Sequence, residues 1–169
     1  MWRLLAATGL TLAGLTGLGY AVWLLTARRA LFAAIAEAGG QDATVSLADA
    51  RGSDALDAGW FWATLVLYVV ALLLWAGAWY VGGQRLGPVG FAGLSMVASG
   101  LLAAGAGSAL AWWSGGGVPA AGTVAIGCSV IAVGFLLMSG GLFTGVASLI
   151  RERPAERTSY LGYAGWSAG

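Results

Sequence analysis

The fold class this sequence predicts is an all-α integral membrane protein, a four-transmembrane-helix antiparallel bundle with one sizeable loop between helices 1 and 2. Three observations carry that expectation. Residues 86–150 hold no charged side chain, a run of 65 residues that no soluble domain could carry on its surface. Two more uncharged apolar stretches lie upstream, at residues 4–26 and 59–82. Charged residues make up 9% of the 169, against roughly 25% in an average soluble domain. A transmembrane helix needs about 20 apolar residues, so the long run suffices for two spans and a tight hairpin.

The first span, residues 4–26, follows Arg3 directly. It is longer than the roughly 7–15 residues of a signal-peptide apolar region. The triplet Ala34-Ile35-Ala36 resembles a cleavage site, but Arg28 and Arg29 stand between it and the apolar run, so a retained helix is expected. The loop 27–58 sets Glu37, Asp42, Asp49, Asp54 and Asp57 against Arg28, Arg29 and Arg51. Within it, residues 28–38 can form a helix with Leu31, Phe32 and Ile35 on one side, lying along the membrane surface. Ser46 to Asp49 and the Ser53-Asp54 pair read as helix starts, because a short side-chain oxygen accepts the first free N–H groups.

Span two, residues 59–82, is bulky all round, with Leu65, Val66, Leu67, Val69, Val70 and Leu72 to Leu74, as expected of a helix with much lipid contact. Span three, 89–113, follows Pro88, and span four, 119–150, opens at Pro119; proline suits a first helical turn because its missing N–H would be unpaired there anyway. At about 1.5 Å per residue, span four is too long to cross a ~30 Å core upright, so it tilts or leaves its first turn in the interface. The connections 82–88 and 114–118 are short, which makes spans two, three and four antiparallel neighbours. A tail, 151–169, completes a single membrane domain spanning residues 1–169.

Arginine counting orients the bundle. With both ends inside, Arg3, Arg85, Arg151, Arg153 and Arg157 face the cytoplasm and Arg28, Arg29 and Arg51 face out, which favours N-in and C-in although the Arg28-Arg29 pair argues the other way. Many Ala, Gly and Arg with no Lys point to a bacterial source, hence to the bacterial cytoplasmic (inner) membrane. Aromatic residues sit at the predicted ends: Trp23, Trp60, Trp62, Trp112 and Trp113 outside, Trp2, Trp79 and Tyr80 inside. Their amphipathic rings suit the headgroup level as an ordinary belt; the outer group could also bind a lipid, a quinone or a partner helix.

Small residues recur every four positions: Gly9, Ala13, Gly17 and Ala21 in span one; Ser95, Ser99, Ala103, Gly107 and Ala111 in span three; Gly141 and Gly145 in span four. Such stripes let helix backbones approach closely, which matters where no hydrophobic gain drives helix against helix. They serve packing inside the bundle, or one of them docks another subunit.

Chemical groups are scarce. There is no His, which removes the usual proton relay and the usual haem and zinc ligand. The one cysteine, Cys128, falls near the middle of span four and reads as a packed thiol. Hydroxyls in the spans can bond their own helix one turn back. No charged residue falls within a span, whereas ion and proton pathways usually carry one. Asp54 and Asp57, one turn apart before span two, could meet an interfacial substrate, but acids at a helix N-terminus also favour the helix dipole. No catalytic residue, metal site or cofactor is expected, and a net charge of +1 gives no reason to expect nucleic acid as a partner. The tail residues Tyr160, Tyr163 and Trp166 are candidate partner contacts.

The run from Arg28-Arg29-Ala30-Leu31 through Ser46-Leu47-Ala48-Asp49 to Trp60 and Leu72-Leu73-Leu74-Trp75 resembles an uncharacterised actinobacterial family of multi-span membrane proteins with a domain of unknown function. The resemblance covers the first half of the chain and implies no activity. Length and topology also match the small four-helix subunit of tripartite solute transporters, but the Glu-rich, Trp-containing segment expected near its second span is missing. Abundant packing signals and few chemical groups lead to one expectation: a non-catalytic accessory or structural subunit of a larger bacterial membrane complex, respiratory or transport, with other membrane subunits and lipids as partners. The alternative is a homo-oligomeric transporter or pore subunit, with hydroxyls of spans three and four lining the path. A lipid-modifying enzyme using Asp54 and Asp57 is a third reading.

Overall fold

The computed structural model describes residues 1–40, 43–45, 55–81, 86–112 and 119–151. It is an all-α bundle: α1 (Trp2–Trp23), a π-helical segment (Leu24–Arg28), α2 (Arg29–Gly39), α3 (Ala55–Tyr80), α4 (Pro88–Trp112) and α5 (Ala121–Arg151). The π segment joins α1 and α2 without a break, giving one helix over Trp2–Gly39. That helix, the Gly59–Tyr80 part of α3, the Pro88–Ala111 part of α4, and α5 are each long and apolar enough to cross a membrane. The expected surface-lying helix at 28–38 is instead the continuation of span one, packed on α5.

The longest of the four bundle helices after α1–α2, α5 is the hub. It packs against α4 along one side, against α1 on another, and against α2 near its own N-terminus. Helix α3 leans on α1 and reaches α5 through side chains rather than backbone. Sequence explains the hub: α5 carries Gly127, Gly134, Gly141 and Gly145, so neighbours can approach it from more than one direction, and it is the most buried of the four spans.

Two apolar clusters result. The larger gathers Leu10, Tyr20, Leu24, Tyr68, Trp75, Phe135, Met138 and Leu142 from α1, the π segment, α3 and α5. The smaller lies beyond the π segment and joins Phe32 and Ala36 of α2, Val45, Ala111, and Ala121, Val124, Ala125 and Cys128 of α5. A short strap closes this second cluster. The N–H of Val45 donates to the Pro119 carbonyl at 3.1 Å, and the N–H of Ala121 donates to the Ala43 carbonyl at 2.7 Å. The second bond satisfies one of the free N–H groups that every helix start leaves over. At the opposite end of the bundle, the Arg3 guanidinium donates to the Leu149 carbonyl in the last turn of α5, where a cation is favoured by the exposed carbonyls.

Candidate functional site

Helices α4 and α5 meet along a glycine seam. A Cβ placed on Gly93 would lie 2.8 Å from the Gly141 carbonyl oxygen, one on Gly100 2.5 Å from that of Gly134, and one on Gly107 2.8 Å from that of Gly127. The reverse holds as well: a Cβ on Gly141, Gly134 or Gly127 would meet the carbonyl of Gly93, Gly100 or Gly107 at 2.5, 2.6 and 2.8 Å. Each helix thus offers a glycine every seventh residue, and the three pairs face one another in antiparallel register. A seven-residue step drifts only about 20° on an α-helix, a drift that a gentle left-handed wrap absorbs. At all three levels the two backbones approach closely, flanked by side chains such as Met138 and Ile131.

The four-residue stripe in the same helix behaves differently. Each step of four turns about 40° round an α-helix, so Ser95 lies about 120° away from Gly107. Gly107 and Ala111 are buried in or beside the seam, Ala103 is half-buried, and Ser95 and Ser99 are exposed on the far side. In α1 the stripe does meet a neighbour. A Cβ on Gly9 would crowd Leu74, one on Gly17 would collide with the Tyr68 hydroxyl, and Ala13 and Ala21 are fully buried. Gly141 faces Gly93 and Val97, and Gly145 faces the ring of Trp75.

Trp75 is the largest fully buried side chain. It enters from α3 and ends against Gly145 of α5 and Gly93 of α4, where added Cβ atoms would lie 2.9 and 3.2 Å from its ring. Two glycines therefore make room for one indole at the place where three helices converge. Its Nε1–H has no hydrogen-bond partner among the described residues. One turn further along, Trp79 packs on it with ring centroids 4.9 Å apart.

A buried polar pair ties α3 to α5: the Tyr68 and Ser139 hydroxyls are 2.9 Å apart. Gly17 of α1 leaves the space that the Tyr68 hydroxyl occupies. Other hydroxyls turn inward on their own helices. Thr11, Thr16, Thr64, Ser95, Ser108, Ser129 and Thr144 each donate to the carbonyl four residues back, at 2.8–3.0 Å. Ser108 and Ser129 are half-buried and Thr123 is exposed.

The aromatic residues divide. Trp23 and Trp60 are half-buried and pack with Tyr20, at 5.9 and 6.1 Å between centroids, in a cluster that runs through Phe61 and Phe135 to Tyr68. Trp62 points outward and is exposed. Trp112 ends α4, while Trp113 lies outside the described residues, as do Tyr160, Tyr163, Trp166 and Asp54. Asp57 falls in the first turn of α3. Cys128 is buried in the second cluster, within electrostatic reach of Arg28, whose guanidinium sits 5.8 Å above the Phe32 ring.

Least covered by the rest of the described chain is the outward face of α4, the least buried of the four spans. It presents Ala92, Ser95, Ala98, Ser99, Gly105 and Ala106 together with the large side chains Phe91, Leu101, Leu102 and Leu110, and a Cβ on Gly105 would meet nothing within 4 Å. The lipid-facing side of α3 carries Val66, Leu67, Val69, Val70 and Leu73 instead. Missed by the four-residue reading were Gly93, Gly100, Gly127 and Gly134; the signal that finds them is glycine at a constant spacing of seven in two consecutive spans. Fold and packing define the class as a four-helix membrane bundle. Beyond that class no family model, curated protein or solved structure matches the chain.

Proposed function

We propose that this chain is a non-catalytic accessory or structural subunit of a larger bacterial membrane complex, of the respiratory or transport kind, seated through the outward face of α4. The observation that carries the reading is the contrast between two exposed helices. Where α3 meets its surroundings it is almost all large or branched; where α4 does, Phe91, Leu101, Leu102 and Leu110 are set among Ala92, Ser95, Ala98, Ser99, Gly105 and Ala106, so large side chains flank small-residue gaps. Small residues gain little from lipid chains but let another helix backbone come close, and their hydroxyls can bond across helices. Packing within the chain does not account for them, because the seam with α5 uses the opposite side of α4.

In this reading the chain sits in the cytoplasmic membrane with both ends inside. Arg3 and Arg151 lie at the same end of the bundle, in keeping with the arginine asymmetry of the sequence. The test is extraction from the native membrane in a mild detergent, pull-down on a tag, and mass determination, with a Ser99→Leu variant alongside. Stoichiometric co-purification with redox or transport subunits, lost in the variant, establishes the accessory role. Recovery of copies of this chain alone sinks it and turns to the homo-oligomeric alternative, to be tested by flux in liposomes.

A further inference from the structure

The phase of the first helix changes at the π segment. From Ala6 to Leu24 the residues facing the bundle follow 3.6 per turn: Ala6, Leu10, Ala13, Gly17, Tyr20 and Leu24 are all buried. Straight continuation would next bring round Leu31 and Ile35. The residues that face α5 are instead Phe32 and Ala36, each one position later. The π segment Leu24–Arg28 absorbs that one residue, and Thr26 Oγ1 donates to the Val22 carbonyl at 2.8 Å, on the stretch of backbone whose bonding the wider turn alters. The displaced face remains apolar: Leu31 is 58% exposed, and Ile35 is half-buried beside the second cluster. Either register therefore offers α5 a large apolar side chain.

Both ends of α2 are built to turn. At one end is the π segment. At the other, Gly40 has φ of +88°, a conformation that favours glycine, and directly after it the strap at Ala43 and Val45 is fixed to Pro119 and Ala121. We propose that α2 is a two-register element: resolution of the π turn into α-helix rotates it by about one residue's turn, exchanging Phe32 and Ala36 for Leu31 and Ile35 on α5 while the strap stays in place. Phe32 then leaves the cluster that holds Cys128, and the groove between α2 and α5 opens and closes with the register.

Cys128 is the sole cysteine and is 1% exposed, so it reports the exchange without any added label site. The experiment follows its modification by a small charged methanethiosulfonate in the full-length protein in liposomes. Two variants bias the equilibrium. Deletion of Thr26 removes the extra residue and keeps Phe32 facing α5 on an unbroken α-helix. Leu31→Ser leaves the observed register untouched, since Leu31 is exposed there, and weakens only the other. Labelling of the parent is expected to be slow but measurable, roughly tenfold slower in the deletion and several-fold slower in Leu31→Ser. Equal rates in the parent and Leu31→Ser overturn the proposal, as does a parent thiol that stays unreactive for hours while the unfolded chain reacts at once. If the deletion variant does not fold, the serine variant decides alone.

Discussion

The two sides of α5 are packed by opposite means. Toward α4 it offers glycines and receives glycines, so backbone lies against backbone through Gly93, Gly100 and Gly107. Toward α1 and α3 it meets Tyr20, Tyr68 and Trp75 with Phe135, Met138 and Leu142, large side chains that fill the space between helices whose backbones stay further apart. In water both arrangements would be driven by removal of apolar surface. In lipid that gain is absent, and what counts is fit: either no side chain at all, or one large enough to leave no gap. The difference teaches that glycine and tryptophan answer the same problem here, and that a change of size at either kind of site disrupts packing.

The comparison is most sharply broken on the large-residue side. Trp75→Ala leaves a void at the junction of three helices, and a loss of about 3–5 kcal/mol is expected from the behaviour of buried aromatic truncations. A denaturation titration in detergent micelles measures it. Trp75→Phe should cost distinctly less, because the indole N–H it removes has no partner among the described residues. On the glycine side, Gly134→Leu forces the α4 and α5 backbones apart, costing about 1–3 kcal/mol or more where neither can shift. The same titration reads it, and proteolysis between residues 112 and 119 should rise as α4 separates. A loss no larger than that of a surface change would mean the seam is loose.

Tyr68→Phe removes the interhelical hydrogen bond to Ser139 and empties the small space beside Gly17; for the bond itself about 0.6 kcal/mol, and at most about 1.7, is expected inside a membrane. A double-mutant cycle with Ser139→Ala isolates the term; a coupling near zero would mean the 2.9 Å contact contributes no net stability. Smallest is Ser99→Leu. Because Ser99 is exposed, the change should move stability by no more than about 0.5 kcal/mol. That near-silence makes it a clean probe of assembly, since any loss of co-purifying subunits cannot then be blamed on unfolding.

Much of the architecture was legible before the structure. Hydropathy alone located the four spans, because nothing but a membrane tolerates 65 consecutive uncharged residues here, and Pro88 and Pro119 pointed to the starts of the last two. The expected stop at Thr26 was not observed, since Arg28 and Arg29 read as a boundary but are carried on a helix that continues to Gly39. The seam was harder. Ser95, Ser99 and Ala103 form as good a small-residue stripe as any in the chain, and only the direction of α4 relative to α5 separates that face from the glycine heptad behind it. A π turn leaves no compositional mark, so the one-residue change of phase that selects Phe32 over Leu31 could not be read from the apolar pattern, in which both residues fit. The place of Trp75 was equally hidden: nothing in its sequence setting tells an interior indole from a lipid-facing one, and only Gly93 and Gly145 opposite it show that it is interior.

The position of α5 at the hub has a consequence for biosynthesis. Helices leave the ribosome in order, at about 5–20 residues per second, and α5 is the last of those described. Until it arrives, α1 and α3 have only each other, α4 has no seam to close, and Phe32, Ala36 and the strap have nothing to cover. For several seconds each new molecule is therefore a set of inserted but unassembled spans. A ribosome that stalls between α4 and α5 leaves a product with both halves of its packing missing at once, and quality-control proteases in the membrane should find that product far easier to extract than any point variant of the finished bundle.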